Sequence, residues 1–442
     1  MLNHQTLKKW PGVDQSCDLF ESIDNIVGWK ATPPFAETGR SAQVIPDEPM
    51  AVDTPNGTVY IERIKIKGVG LCDFEGNISK PSSVHFKMYS PHVGISSKGE
   101  FSILTPGTKP MGGLVLEKAT MEYHVADVLF EHGIPTEIPM RLYEYTDPEM
   151  FFEESSGNRS KLGVVVAGQH SLGYDRADIM LKYSEADDDA VQRMNQFAEA
   201  VGIDISDDPE LSLLSFVYES YGHYIRKFSQ AQLYRHSGHC SNIGFSLHTK
   251  SIYFTDIDSC RTLSECGEIN TGLQVMRDCL SGAYHIFGIL TEPVHAEKFS
   301  SQRVINSGIF RRYLKHYHHD LPESLVDNLG QILEEHYAEV HASVIKSIAQ
   351  KKQEQKEEQE EGGEVDYQAA YDAKWHRTTT VYQDTHSWFL SVCWTLHKHG
   401  SISKEFPFKI PEAEFYDNIA NLSSPELVET IRARIAKAIE AA

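Results

Sequence analysis

An asparagine and two aspartates lie close together in the segment RHSGHCSNIGFSLHTKSIYFTDIDSCR, which runs from Arg235 to Arg261. The runs NIGFSL and SIYFTD flank HTK and predict a β-hairpin, which would bring its two ends together. Asn242 at one end and Asp256 at the other carry the oxygen ligands that Mg²⁺ prefers, and Asp258 is an alternative ligand. The segment therefore predicts a magnesium site at the open end of a hairpin.

A histidine of the same segment is a candidate proton acceptor. His239 lies three residues before Asn242, and a neutral imidazole could accept a hydroxyl proton near pH 7. His236 could orient the loop instead. Hydrogen bonds from both histidines to the loop backbone would explain them equally well, so a catalytic role for His239 is a hypothesis.

A lysine near a strand end is the candidate for binding phosphate. The sequence TVYIERIKIKGVG begins at Thr58 and alternates apolar and polar residues, which predicts a strand followed by a glycine-containing turn. Lys67 could reach into a cleft there, while the backbone of Gly68 and Gly70 approaches the phosphates. Lys65 has the same side-chain parity as Lys67 and competes for the role.

A glutamate is the candidate partner for this lysine. The sequence GGLVLEKATMEYHVADVLFEHGIP predicts a helix that Gly133 and Pro135 end. Glu122 lies in the middle of this helix and could hold the lysine in an ion pair. Glu117, near the helix start, is the alternative, and an ordinary solvated helix glutamate is the competing interpretation.

The order of the predicted elements connects these residues. The first half of the chain reads as strands around one helix, and the second half is mostly helical. Protein-kinase-like phosphotransferases have this layout, and they need a lysine on the phosphates, a carboxylate that holds it, and an Asn/Asp pair for metal ions. The 14 residues that separate Asn242 from Asp256 are close to the corresponding kinase spacing. We therefore predict an α+β, bilobal protein-kinase-like fold that binds ATP and Mg²⁺ between its lobes.

Shifts in composition predict the domain boundaries. Residues 1–57 include a stretch rich in Pro, Gly and Thr, which predicts an irregular N-terminal strap. A strand-rich N-lobe with one helix would follow at 58–168, and a helical C-lobe with the metal hairpin at 169–350. The sequence KKQEQKEEQEEGGEVD predicts a charged linker at 351–366, before a C-terminal helical extension at 367–442.

Charge and composition exclude several classes of protein. The formal net charge is −22, whereas general nucleic-acid binders show a basic face. No run approaches the ~20 apolar residues that cross a membrane, so no membrane partner is expected. Seven thinly spread cysteines and a start without an apolar core segment predict reduced thiols and a cytoplasmic location.

Three pieces of the sequence resemble the selenoprotein O family, whose members are kinase-like enzymes that transfer AMP from ATP to protein hydroxyls. They are IKGVG at 66–70, EYHVADVLFEHGIPT at 122–136 and HSGHCSNIG at 236–244. The resemblance covers about residues 58–260 in patches. It implies that Lys67 binds the nucleotide and that Glu122 is its partner.

The chain departs from these enzymes where a base is expected. Ser241 stands directly before Asn242, where the family has an aspartate. Ser237 stands five residues before Asn242, where ordinary kinases carry the catalytic aspartate. A nucleotide-binding pseudokinase without turnover is therefore the alternative function. Phosphate or AMP could be transferred, to a protein, peptide or small-molecule acceptor.

A zinc site is a third interpretation of the same segment. It would use histidines and cysteines that are plausible zinc ligands by type. The candidates are His236, His239, Cys240, His248, Cys260 and Cys266. However, H-x-x-H-C is not a common zinc spacing, which favours the magnesium hypothesis.

Overall fold

Strands dominate the first part of the chain and helices the rest, as the α+β prediction requires. The computed structural model describes residues 1–13, 18–87, 92–104, 108–153, 157–170, 175–235, 237–357 and 380–442. The strands are β1 (His4–Lys9), β2 (Gly39–Val44), β3 (Met50–Thr54), β4 (Gly57–Ile61), β5 (Arg63–Cys72), β6 (Ile78–Ser79), β7 (His85–Lys87), β8 (His92–Ile95), β9 (Phe101–Leu104), β10 (Thr108–Pro110), β11 (Leu114–Val115), β12 (Ile138–Tyr145), β13 (Phe151–Glu153), β14 (Arg159–Gln169), β15 (Leu233–Tyr234), β16 (Ile243–Ser246), β17 (Ser251–Phe254) and β18 (Arg261–Thr262).

The central sheet holds the strand with the candidate lysine. Its order is β1–β12–β14–β5–β2, and each neighbouring pair is antiparallel. Lys67 on β5 lies opposite Val165 on β14 and opposite Ser41 on β2. Strands pair with β5 on both sides, and residues 64 to 70 of β5 are buried.

Helices form most of the second half. The helices of the described residues are α1 (Asp18–Val27), α2 (Leu116–Glu131), α3 (Asp188–Val201), α4 (Pro209–Gln230), α5 (Gly267–Thr291), α6 (Pro293–Ala296), α7 (Ser301–Ser307), α8 (Ile309–Tyr317), α9 (Glu323–Glu357), α10 (Thr380–His399), α11 (Ile402–Glu405), α12 (Glu412–Leu422) and α13 (Pro425–Glu440). Helix α5 contacts α4, α8, α9 and α10 and forms the centre of this half. Short 3₁₀ turns cover Ala177–Glu185, Cys240–Asn242, Ile257–Ser259 and Leu263–Cys266.

The predicted hairpin is present. Strands β16 and β17 pair antiparallel, with Ile243 opposite Phe254. The Thr255 N–H donates to the Asn242 carbonyl at 3.1 Å, which closes the open end. Phe254 also bonds to the segment after α2, because its N–H donates to the Pro135 carbonyl at 2.9 Å and its carbonyl accepts the Glu137 N–H at 3.0 Å. The hairpin is thereby fixed to the strand-rich half.

The prediction of an irregular segment at residues 1–57 is wrong for the part that the structure describes. β1 pairs with β12, β2 pairs with β5, and α1 packs on β5. The strand-rich half therefore starts before Thr58 and contains two helices rather than one. The sequence does not reveal β1 because most of its residues are exposed, so it has no apolar alternation.

The C-terminal helices belong to the helical core. α10 contacts both α5 and α9, and α13 contacts α9. The prediction of helical structure is therefore confirmed for residues 380–442, but these helices are not an appended extension. Helix α9 continues to Glu357 through the start of the predicted linker. Residues 358–379 lie outside the described residues.

Two further sequence expectations concern cysteines and membranes. The six cysteines among the described residues, all except Cys17, are free thiols. Among the described helices, none combines the length and the apolar composition that a membrane-spanning segment requires.

The glycine-containing turn predicted after Lys67 is also wrong. Strand β5 runs straight through Gly68 and Gly70 to Cys72. A Cβ atom at Gly68 would lie 2.7 Å from the Gly163 carbonyl oxygen and 2.7 Å from Leu114 Cβ. Glycine is therefore required there because other parts of the protein approach the backbone.

We expect Gly68→Ala to destabilise the fold more than Gly76→Ala. Both glycines have positive φ, 93° and 83° respectively, so each alanine costs about 1–2 kcal/mol of left-handed strain. Only open space surrounds Gly76, whereas the crowding at Gly68 should add on the order of 2 kcal/mol. Urea denaturation of both variants measures the difference. Equal losses would show that the close approach at Gly68 does not constrain the strand.

Candidate active site

Three carboxylates converge on the buried ammonium group of Lys67. Its Nζ lies 2.7 Å from Glu122 Oε2 and 3.2 Å from Asp258 Oδ2, and it hydrogen-bonds to Asp256 Oδ1. The Lys67 and Glu122 side chains are each only 2% exposed, whereas the Asp256 side chain is 38% exposed. Strand β5, helix α2 and the segment after β17 therefore meet at one cation, and Asp256 forms the solvent-facing edge.

Lys65 lies beside Lys67 but has a different main partner. Its Nζ lies 2.7 Å from Glu137 Oε1 and 3.5 Å from Glu122 Oε1. The two lysine side chains therefore lie on the same face of β5, as their spacing predicted, and Glu122 contacts both of them. Glu117, the alternative glutamate, is exposed in the first turn of α2.

The backbone of Asp256 has an unusual conformation. Its φ of 54° and ψ of 47° are left-handed, which few non-glycine residues adopt. Aspartate tolerates this region better than most residues because its short polar side chain can hydrogen-bond locally. The turn directs the chain from β17 into the 3₁₀ turn at Ile257–Ser259, which packs against α2. Asp256 and Asp258 can therefore both face Lys67.

The Arg235 side chain connects the two ends of the hairpin. This side chain is fully buried, and Nη2 donates to the carbonyls of Asn242 at 3.0 Å and Thr255 at 2.9 Å. The Arg235 backbone N–H donates to Asp278 Oδ2 on α5 at 2.9 Å. The core helix α5 thereby holds the loop before Asn242, and the arginine holds the residue before Asp256.

The Asn242 side chain has a different contact from the one predicted. Its Nδ2 donates to Ser237 Oγ at 3.1 Å. Ser237 lies five residues before Asn242, the spacing at which the sequence comparison with kinases expected an aspartate. A backbone hydrogen bond and the Arg235 side chain connect Asn242 with Thr255, the residue before Asp256. The carboxylate that lies close to Asp256 is that of Asp258, the predicted alternative ligand.

His239 forms its hydrogen bonds within its own loop. Its Nδ1 lies 2.6 Å from Ser241 Oγ and accepts the Ser241 N–H at 3.2 Å, and its ring lies edge-to-face with that of His285. Burial lowers the pKa of His239, which keeps the imidazole neutral near pH 7. None of the contacts described for His239 reaches the Lys67 cluster. His236 lies outside the described residues.

The charges of the cluster shift its pKa values in opposite directions. Burial opposes ionisation of Asp256 and Asp258, but the surrounding cations, Lys67 first among them and Arg40 with it, together outweigh burial and hold the pKa of both below the usual range. For Lys67 itself, the three carboxylates outweigh burial and raise the pKa. Burial dominates at Glu122 and raises its pKa to about 7, despite the opposing charges of Lys67 and Lys65.

The carboxylates could also hold a divalent ion. One oxygen each from Glu122, Asp256 and Asp258 lies within 4.8 Å of the others. Such an all-oxygen set fits Mg²⁺ and does not resemble a zinc site, which favours sulfur and imidazole ligands. Lys67 lies among these oxygens and neutralises them. An ion bound there would have to share Asp256 and Asp258 with the lysine.

Glu137 and Arg40 are parts of the site that sequence reasoning missed. Glu137 follows directly after the GIPT turn and holds Lys65, a proximity that the sequence could have suggested. Arg40 Nη2 lies 3.1 Å from Asp258 Oδ2. Its segment was predicted to be irregular, so no local signal indicated that it reaches the site. Gly70, predicted to approach phosphates, instead approaches the protein: a Cβ there would lie 2.4 Å from the Ser79 carbonyl oxygen.

Two solved structures from Toxoplasma gondii are similar to the protein. The kinase domain of a specific rhoptry antigen has 8% sequence identity and a TM-score of 0.23, over 60% of this chain and 74% of that chain. ROP2, described as a virulence factor with a protein-kinase fold and no enzymatic activity, has 9% identity and a TM-score of 0.27, over 87% of this chain and 94% of that chain. No protein-family model and no curated protein matches the sequence.

Similarity at these TM-scores carries no weight for individual residues or for activity. The chain's own geometry defines the fold instead. The strand with Lys67 lies inside an antiparallel sheet, and a helix packed on that sheet supplies the glutamate. A later hairpin, between α4 and α5 of the helical half, brings an aspartate to the same lysine. This order of parts is that of a protein-kinase-like fold.

We expect Glu122→Gln to change how stability depends on pH. A carboxyl pKa raised to about 7 means that the folded state keeps a proton which the unfolded state releases near its ordinary pKa. Stability contributed by Glu122 is therefore present at low pH and is lost as the pH rises to about 7. The free energy of unfolding of Glu122→Gln, relative to wild type, should increase over this range and then level off.

Glu131→Gln is the matched control, because Glu131 is exposed at the end of the same helix. Its difference from wild type should stay small and constant in urea denaturation between pH 4.5 and pH 8. If the Glu122→Gln difference is equally flat, the carboxyl group of Glu122 is ionised throughout and the proton assignment is wrong.

Proposed function

We propose that the protein binds ATP together with Mg²⁺ between its two halves and transfers phosphate or AMP to an acceptor hydroxyl. The observation that carries this proposal is the convergence of Lys67, Glu122 and Asp256. Kinase-like enzymes need this same trio, a strand lysine held by a helix glutamate beside a metal-binding aspartate. The acceptor would be a protein, a peptide or a small molecule in the cytoplasm.

Each side chain would have a separate role. Lys67 would place its charge on the phosphates, and Glu122 would fix the position of the ammonium group. Asp256 and Asp258 would hold the Mg²⁺, with the oxygen of the Asn242 side chain as a further ligand. The ion, when bound, supplies neutralisation of the phosphate charge.

The ion pair between Lys67 and Asp256 must loosen for this chemistry. Both groups would otherwise satisfy each other, and the phosphates and the ion would have no free partner. The 38% exposure of Asp256 favours this exchange, because the carboxylate can turn toward solvent without unfolding its neighbours. Lys67 would keep Glu122 as a buried partner during the exchange.

The structure supports a proton acceptor less directly than it supports the other roles. His239 is neutral near pH 7, but its Nδ1 accepts the Ser241 N–H, so Nε2 carries the ring hydrogen. Nδ1 would have to leave Ser241 before it could accept a proton from a substrate. Phosphoryl transfer has a loose transition state and does not require a strong base. The resemblance to the selenoprotein O family favours AMP as the transferred group, but Ser241 replaces the aspartate that the family uses.

A nucleotide-binding module without turnover is the second candidate. It is favoured by Ser237, which stands in place of the catalytic aspartate and bonds to Asn242. ATP labelled at the α or the γ phosphate separates the possibilities. Appearance of the α label on the acceptor indicates AMP transfer, and appearance of the γ label on the acceptor indicates phosphorylation. ATP binding without either indicates a binding module.

We expect Mg²⁺ to increase the affinity for ATP, and Asp256→Asn to remove this increase. The substitution deletes the charge that would hold the ion but leaves the size of the side chain unchanged. Calorimetric titration of ATP with and without Mg²⁺ measures both effects. Asp188→Asn, which alters an exposed carboxylate on α3, should behave like wild type. Equal affinity of the wild type under both conditions would contradict the metal assignment.

For an active enzyme, we expect His239→Ala to lower turnover by about 10²–10⁴-fold, which is typical of a lost general base. The affinity for ATP should not change, because His239 has no described contact with the Lys67 cluster. Ser241→Ala is the control, since it removes the hydroxyl contact of Nδ1 but keeps both the imidazole and the backbone N–H that Nδ1 accepts. Wild-type turnover in His239→Ala would show that the histidine serves only the loop.

A further inference from the structure

Cations gather at one edge of the Lys67 cluster, although the chain as a whole has a formal net charge of −22. Arg40 comes from β2, Lys109 from β10 and Lys118 from the first turn of α2. All three side chains are half-buried. Three cations grouped beside one carboxylate on an acidic protein are a candidate site for a negatively charged ligand.

The backbone places the three residues next to Lys67. Arg40 Nη1 lies 3.5 Å from the carbonyl oxygen of Gly113, which is part of the segment between Lys109 and Lys118. The Gly70 N–H donates to the Gly112 carbonyl at 3.1 Å, so this segment crosses β5 three residues after Lys67. The start of α2 and the end of β10 therefore flank the same part of β5.

Electrostatics connects the same groups. Burial, together with the cations of Arg40 and Lys118, lowers the pKa of Lys109 to about 8, and Asp258 opposes this shift. Burial also lowers the pKa of Lys118, with opposition from Asp258. Among the described residues, neither amine has a hydrogen-bond or ion-pair partner. Half-buried like charges without partners are unfavourable unless an anion joins them.

The architecture leaves room for such an anion-binding role. In protein kinases a glycine-rich loop between two strands covers the phosphates. Here β2 is the edge of the central sheet, so among the described residues no second strand pairs with its outer side to form such a loop beside β5. Arg40 reaches from β2 toward Asp258 at this position.

We propose that Arg40, Lys109 and Lys118 bind the polyphosphate chain of the nucleotide and replace a glycine-rich loop. The inference rests on the proposed function, because it assigns the phosphate contacts of that same site. Guanidinium and ammonium groups form charge-assisted hydrogen bonds with phosphate oxygens. Lys67 would contact the phosphates from below, and the three cations would enclose them from the side.

The test compares a double variant, Lys109→Gln with Lys118→Gln, with a charge-matched control. The control, Lys346→Gln with Lys404→Gln, removes two exposed lysines from α9 and α11. Calorimetry with ATP, inorganic tripolyphosphate and adenosine separates phosphate contacts from base contacts. Arg40→Gln is measured separately, because its loss also releases Asp258.

We expect the double variant to bind ATP and tripolyphosphate roughly tenfold more weakly for each lysine lost. Adenosine should bind the double variant and the wild type equally, and the control should resemble wild type with all three probes. Unchanged affinity of the double variant for both ATP and tripolyphosphate would overturn the inference.

Chemical labelling of amines gives a measurement on the unaltered protein. Tripolyphosphate should protect Lys109 and Lys118, but not Lys346, from acylation as read by mass spectrometry. Protection without any Mg²⁺-dependent ATP binding would support the phosphate site while the proposed function fails. Mg²⁺-dependent ATP binding that neither protects nor requires these lysines would support the function and overturn this inference.

Discussion

The buried ammonium group of Lys67 is the interaction on which the site depends. A lysine that is 2% exposed has lost its hydration, which costs several kcal/mol unless opposite charges compensate it. Glu122, Asp256 and Asp258 provide this compensation from two distant parts of the chain. Loss of any one carboxylate would change the charge balance for all the others, so the position of α2 and that of the hairpin end are coupled through one cation.

The helical half supports this cluster through backbone contacts. Asp278 on α5 holds Arg235, and Arg235 holds the carbonyls of Asn242 and Thr255. Pro135 and Glu137 hold the other side of β17. Asp256 can therefore keep a left-handed conformation, because the residues on either side of it are fixed. The polar network places the Asp256 carboxylate at an exposed edge, although most of its supporting residues are buried.

The glycines after Lys67 and the basic side chains near Asp258 have contacts in the structure that the sequence did not indicate. Gly68 and Gly70 follow the candidate lysine, which suggested a phosphate loop, but their backbones lie against Leu114 and Ser79. The cations that interact with Asp258 from outside the Lys67 strand, Arg40, Lys109 and Lys118, come instead from segments without a recognisable motif. A glycine next to a buried lysine can thus serve strand packing, while arginine and lysine side chains from other segments interact with Asp258, a partner of that lysine.

The sequence by itself determined the elements whose signals are local. Helical periodicity with Gly133 and Pro135 located α2, and two apolar runs around HTK located the hairpin, so Glu122, Lys67 and Asp256 could be selected as candidates. Tertiary structure decided the pairings over long distances. The mostly exposed β1 and the short β2 become strands only through β12 and β5, and Arg40 reaches Asp258 only after β2 has paired. Tertiary contacts also decided the directions of side chains. The Asn242 amide donates to Ser237, and the left-handed turn at Asp256 brings Asp258 to Lys67. These contacts depend on residues far apart in the chain, which no local pattern of spacing records.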